Sequence, residues 1–119
     1  MSQKTILLAE DNPRYRTELR IVLESAGFFV VEAEDGQMAL EIVQAGLPFD
    51  AIVTDYQMPR LNGAELVEAL RQDGCTQPII VWTAWFPLPS CSGADCVISK
   101  MNGLPAVIAA IQQCLRKRP

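Results

Sequence analysis

Five polar residues stand where apolar runs stop. Glu10 and Asp11 follow KTILLA (4–9), Asp55 closes DAIVTD (50–55), Thr83 closes PIIVWT (78–83) and Lys100 follows CVIS (96–99). If these runs are parallel strands, all five residues share the carboxyl edge of the sheet, where open α/β sheets bind their ligands. Three carboxylates held together raise one another's pKa. A divalent cation removes that repulsion, and oxygen-only ligands with open positions suit Mg²⁺. Lys100 supplies a cation for Asp55 or for an incoming phosphoryl group. Thr83 supplies a hydroxyl donor, and backbone N–H groups after the third and fourth strands can point the same way. These are the parts of a phosphoryl-transfer site: a nucleophile, a metal, a cation and donors around spreading negative charge. Asp55 is the most plausible nucleophile, because a carboxylate forms an acyl phosphate without a general base. Glu10 and Asp11, being adjacent, are better suited to the metal. Pro59 and Gly63 shape the loop after Asp55 and leave room for a donor.

The elements that must position these residues are read from periodicity. Asn12-Pro13 places an N-cap residue before a proline at the first helical position. Tyr15, Leu19, Val22, Leu23 and Ala26 then share one helical face until Gly27. FFVVEA (28–33) reads as a second strand. Asp35-Gly36 opens a second helix with Ala39, Leu40 and Val43 apolar, closed by Gly46 and Pro48. Asn62 caps a third helix with Leu66, Val67 and Leu70 inward and Gly74 at its end; the last helix spaces Leu104, Ile108, Ile111 and Leu115. Continuous apolar strands alternating with amphipathic helices predict one α/β domain over residues 1–119, its parallel sheet covered on both faces. One connection departs from the pattern. Residues 84–95 join the last two strands and contain Pro87, Pro89 and Gly93. Proline costs about 3 kcal/mol inside a helix, so a loop or a single turn is expected there.

Composition narrows the function classes. The net charge of -4 argues against a nucleic-acid-binding surface across the domain. Arg116-Lys117-Arg118 reads as a solvated tail at the negative end of a helix. No apolar run approaches the roughly 20 residues that cross a bilayer. Met1-Ser2-Gln3-Lys4 shows no signal peptide, so a cytoplasmic location is expected. The four cysteines form no CxxC pair and the chain has no histidine. Reduced thiols are expected, with a Cys91–Cys96 bridge as the alternative. The lack of histidine excludes Ser-His-Asp catalysis and histidine phosphorylation on this chain.

LLAEDNP (7–13), TDYQMPRLNG (54–63), VWTA (81–84), GAD (93–95) and ISK (98–100) appear in order. Over essentially its full length the chain resembles the response-regulator receiver domain of two-component signalling. The resemblance implies a single doubly wound, flavodoxin-like sheet of five parallel strands in the order 2-1-3-4-5. It implies that Asp55 is phosphorylated from a phosphohistidine on a histidine kinase or a histidine phosphotransfer protein. It implies Mg²⁺ held by Glu10, Asp11, Asp55 and the Gln57 main-chain carbonyl, with Lys100 and the Ala84 amide on the phosphoryl group and Thr83 moving in to bond it. The response would pass by conformational change to an effector domain or a downstream protein. Such a domain catalyses only its own phosphorylation and dephosphorylation and is not otherwise an enzyme.

Three features depart from that family. Met101 stands where a proline usually follows the lysine through a cis peptide; a non-proline cis bond costs ~2.5–4 kcal/mol, so a trans bond and a reshaped loop are expected. Val97 stands where the switch aromatic usually lies, so the output is expected to be read through residues 84–95 or not through an aromatic switch at all. The fourth helix is short or missing, and Trp85 and Phe86 are expected to pack over the shortened crossover, with an exposed partner surface as the alternative. Rival readings fare worse. A pseudo-receiver, never phosphorylated, predicts a missing acid or nucleophile. An aspartate-nucleophile phosphatase would carry D-x-D after the first strand, where this chain has Glu10-Asp11-Asn12. A flavodoxin-like cofactor binder would need a Ser/Thr/Gly-rich phosphate loop there.

Overall fold

The three central apolar runs become strands buried on both faces, and the two edge runs strands only partly buried. In the computed structural model, which describes residues 3–117, they are β1 (Thr5–Ala9), β2 (Phe29–Ala33), β3 (Ala51–Thr54), β4 (Ile79–Thr83) and β5 (Cys96–Ser99). All pairs are parallel, and the order is β2-β1-β3-β4-β5. Four α-helices follow or connect them: α1 (Pro13–Ser25), α2 (Gly36–Gln44), α3 (Gly63–Gln72) and α4 (Leu104–Lys117).

Alternation along each strand divides the core in two. Ile6, Leu8, Val53, Ile80 and Trp82 face α1 and α4, meeting Leu19, Leu23, Val107 and Ile111. Leu7, Ala9, Ile52 and Val81 face α2 and α3, meeting Ala39, Leu66, Val67 and Leu70. That is why the central strands read as unbroken apolar runs rather than as alternating ones. No helix among the described residues is long and apolar enough to cross a membrane.

Local chemistry sets where each helix begins. The Asn12 side chain accepts from the Arg14 and Tyr15 amides, with Pro13 at the first helical position. Asp35 accepts from the Met38 amide at 2.8 Å and starts α2. Asn62 and Glu65 form a reciprocal capping box at α3. At the other end, Arg116 and Lys117 lie in the last turn of α4, at its negative pole. Arg118 lies outside the described residues.

Residues 84–95 contain no helix, as their prolines predict. One side chain ties the end of this segment and the turn before β4 to α3. Arg71 of α3 donates from Nε to the Gly93 carbonyl at 2.9 Å and from Nη1 to the Cys75 and Gln77 carbonyls at 3.0 and 2.8 Å. Cys91 drops into the core beside α3, and no bridge joins it to Cys96. Trp85 and Phe86 correct one expectation: they do not cover the crossover, being 47% and 83% exposed. Without helical turns, nothing rotates these rings inward. The only cis peptide among the described residues is Phe86–Pro87, so Lys100–Met101 is trans, and a single 3₁₀ turn (Lys100–Asn102) follows β5.

Candidate functional site

β1 and β3 are neighbours, but the chain leaves them in opposite directions along the sheet. Their carboxyl ends form the topological switch point of this fold, where ligands bind. Glu10 is the first residue after β1 and Asp55 the first after β3. Register holds both: the Glu10 amide donates to the Ala33 carbonyl and the Asp55 amide to the Ala9 carbonyl. Both side chains are buried, while Asp11 is exposed at the rim. One carboxylate oxygen from each of the three lies within 4.8 Å of the others.

Lys100 bridges the two buried acids. Its Nζ donates to Glu10 Oε1 at 2.8 Å and to Asp55 Oδ2 at 3.2 Å. Glu10 Oε2 accepts from the Asn12 amide at 3.1 Å, and Asp55 Oδ1 accepts from the Tyr56 amide at 2.7 Å. Burial, joined by the Asp55 charge, pushes the Glu10 carboxyl up to about 7, against the opposing pull of Lys100. Without another cation, this cluster has one ammonium for three acids.

The remaining expected residues fall around this centre. Thr83 ends β4, buried, and its Oγ1 accepts from the Trp85 amide at 3.0 Å; accepting leaves the hydroxyl its own proton to donate. Ala84 follows at the exposed start of the crossover. Gln57 lies in the loop after Asp55 and lines a cleft of about 490 Å³ with Asp11, Asn62 and Trp85. That cleft opens beside the acids. The loop is drawn close to Asp55 at Gly63, where a Cβ would come within 2.5 Å of the Asp55 carbonyl oxygen.

The donor set fits Mg²⁺. It is all hard oxygen, and opposite ligands of a cation with ~2.0–2.1 Å bonds sit about 4.2 Å apart. Adjacent ligands of such an octahedral cation sit about 2.9 Å apart, and the three carboxylate oxygens, all within 4.8 Å of one another, are gathered near that range.

Two residues assigned to packing in the sequence belong to the site. Lys100 Nζ lies 4.1 Å from the Tyr15 ring centroid and 4.6 Å from that of Trp82. A helical stripe and a buried strand pattern are core signals, and neither marks a ring that also touches a cation.

A flavodoxin-like α/β domain with acids and a lysine at its switch point is the class that fold and geometry define. The chain belongs to the response regulator receiver domain family, whose model matches residues 6–112. It is 35% identical to the response regulator MprA of Mycolicibacterium vanbaalenii and 38% identical to MprA of Mycobacterium leprae, each match covering 94% of this chain. Those matches cover 50% and 51% of the relatives, so the chain spans about half their length. Among solved structures, a response regulator receiver protein from Sinorhizobium medicae superposes with a TM-score of 0.89 at 26% identity, covering 99% of this chain and 98% of that one. TrrA from Thermotoga maritima, solved in complex with Mg(2+)-BeF, gives 0.87 at 26% identity, covering 94% and 99%. The chain is thus a signalling domain of the two-component type.

Proposed function

We propose that Asp55 is the phosphoacceptor of a two-component relay and takes its phosphoryl group from a phosphohistidine in a Mg²⁺-dependent reaction. The observation that carries this reading is the Glu10–Lys100–Asp55 cluster with Asp11 at its rim, beside an open cleft. An Asp55 carboxylate oxygen attacks phosphorus, the P–N bond of the phosphoimidazole breaks, and the electron pair stays on the imidazole nitrogen. The product is an acyl phosphate. Such a transfer asks the protein for positioning and charge rather than covalent chemistry.

Glu10, Asp11, Asp55 and the Gln57 main-chain carbonyl would hold Mg²⁺, which when bound neutralises charge around the phosphoryl oxygens. Lys100 turns from Asp55 to a phosphoryl oxygen, Thr83 donates its hydroxyl and Ala84 its amide. Because Thr83 Oγ1 also accepts from Trp85 N, its movement reaches residues 84–95 through one hydrogen bond. Val97 offers no aromatic ring to rotate, so this bond is the route by which the signal leaves the site.

Residues 1–119 contain no histidine, so the phosphoryl group comes from outside them: from a histidine kinase or a histidine phosphotransfer protein, or from a small phosphate compound. The receiver of the signal is an effector domain or a downstream protein, which the greater length of the MprA relatives supports. We place the relay in the cytoplasm and the whole of residues 1–119 in one receiver domain, whose only catalysis is on itself.

Intact mass after incubation with acetyl phosphate tests the reading. The native chain gains one phosphoryl group with Mg²⁺ and none without it, and Asp55→Asn gains none. No gain from acetyl phosphate or from a phosphorylated kinase, or a gain that survives Asp55→Asn, overturns it. Amide exchange with Mg²⁺ and beryllofluoride tests the output route. Protection changes are expected within residues 84–95; changes confined elsewhere count against it.

A further inference from the structure

Lys100 carries its charge on a flexible four-carbon stem, yet that stem's end is held from two sides. Glu10 and Asp55 hold it on one, at 2.8 and 3.2 Å. On the other stand two aromatic faces, Tyr15 at 4.1 Å and Trp82 at 4.6 Å from Nζ. The rings meet edge to face, centroids 6.2 Å apart and planes at 85°, so they make a corner with the ammonium in it. An ammonium within about 6 Å of a ring centroid is drawn to the ring's negative face. Tyr15 comes from α1 and Trp82 from β4, while the lysine follows β5. The seat therefore exists only in the folded chain.

Trp82 is an odd choice for packing alone. It is 3% exposed, and its indole N–H has no acceptor among the described residues. A leucine would fill the core there without stranding a donor. What the indole adds is a face of negative potential beneath Lys100. The backbone does less of the aiming: Met101 is 86% exposed, and Ser99 Oγ accepts from its amide at 3.1 Å in the short turn that follows.

We propose that Tyr15 and Trp82 are positioning residues for Lys100. Their ring faces keep the ammonium at the carboxylate edge while its anionic partner changes from the Asp55 carboxylate to a phosphoryl oxygen. The inference rests on the reading above in one respect, that Lys100 acts on the phosphoryl group. Tyr15 is the better residue to change, because it is 39% exposed on α1 and the core does not depend on it.

The experiment compares Tyr15→Phe and Tyr15→Leu in the full chain, with Trp82→Phe as a second site. The rate of phosphoryl uptake from acetyl phosphate and Mg²⁺ is followed by intact mass. The Lys100 ε-methylene proton resonances, which the two rings shift upfield, are followed by NMR without metal or phosphodonor. Tyr15→Phe keeps the ring, the native resonance and a rate within about two-fold of native. Tyr15→Leu slows uptake by about 3- to 30-fold, the range expected for one cation–π contact, and the resonance moves toward its ordinary position. Trp82→Phe, with a weaker π face, falls between. A Tyr15→Leu chain as fast as native, a Tyr15→Phe chain as slow as Tyr15→Leu, or an unmoved Lys100 resonance in Tyr15→Leu overturns the proposal. A native chain that never takes up phosphoryl defeats the earlier reading instead, and the resonance alone then decides whether the rings hold the ammonium.

Discussion

Two loops wall the site, and they are built in opposite ways. From Asp55 to Asn62 the chain is pinned at both ends and at Arg60. The Gly63 amide donates to the Tyr56 carbonyl at 2.7 Å, the Asn62–Glu65 box closes the start of α3, and Arg60 pairs with Asp35 at the start of α2. Gly36 and Gly63 admit backbone that no Cβ would allow. The crossover at 84–95 has no helix, is tied to α3 where Arg71 donates to the Gly93 carbonyl, and turns Phe86 and Leu88 outward while Trp85 leans on Tyr56. The loop after Asp55 fixes backbone at close contact, where Gly36 and Gly63 leave no room for a Cβ. The crossover presents a surface, and a surface tolerates change as long as its two ends are anchored.

The sharpest way to break that contrast is Gly63→Ala. The added Cβ would meet the Asp55 carbonyl oxygen at 2.5 Å and Tyr56 Cα at 2.8 Å, both backbone atoms that cannot swing aside. A loss of about 3 kcal/mol or more is expected, seen as a lower urea midpoint together with lost phosphoryl uptake. Next comes Arg71→Met, which keeps the stem and removes the donors to Gly93, Cys75 and Gln77. It lowers stability by about 2 kcal/mol, with faster amide exchange in 84–95 and an unchanged Asp55 loop. If exchange instead rises evenly over the whole domain, the crossover is not a separate unit.

The third effect is one of pH. Glu10 is raised from 4.5 to about 7 in the folded chain. Between those values the folded state keeps a proton that the unfolded state has released. Stability of the metal-free chain therefore falls as pH rises from about 4.5 to about 7 and then levels. Glu10→Gln has no proton to lose and flattens that slope; the difference is on the order of 1–2 kcal/mol after allowance for screening, read from urea midpoints across the window. The smallest effect belongs to Phe86→Ser. At 83% exposure the ring leaves little behind, and stability changes by no more than about 0.5 kcal/mol.

Much of the frame was legible because its signals are local. Pro13 after Asn12, Gly36 after Asp35 and Gly63 after Asn62 mark helix starts by what neighbouring atoms can bond or avoid. Pro87 and Pro89 forbid a helix by the same logic. The site was half legible. Acids at strand ends converge once the sheet is parallel, so Glu10, Asp11, Asp55 and Lys100 could be named together. Tyr15 could not, because a ring on a helical stripe looks like any other core contact. The exposure of Phe86 could not either, since an apolar residue in a loop says nothing of what covers it.

The sequence by itself determined the order of elements, the missing helix and the edge of the sheet that carries the charge, since each follows from periodicity or from a residue's own backbone chemistry. Only the tertiary structure decided what surrounds Lys100 and what Arg71 reaches. Tyr15, Trp82 and Lys100, like Arg71 and Gly93, lie far apart along the chain and meet only because α1, β4 and β5, or α3 and the crossover, pack side by side. No local pattern encodes a distance that packing alone creates.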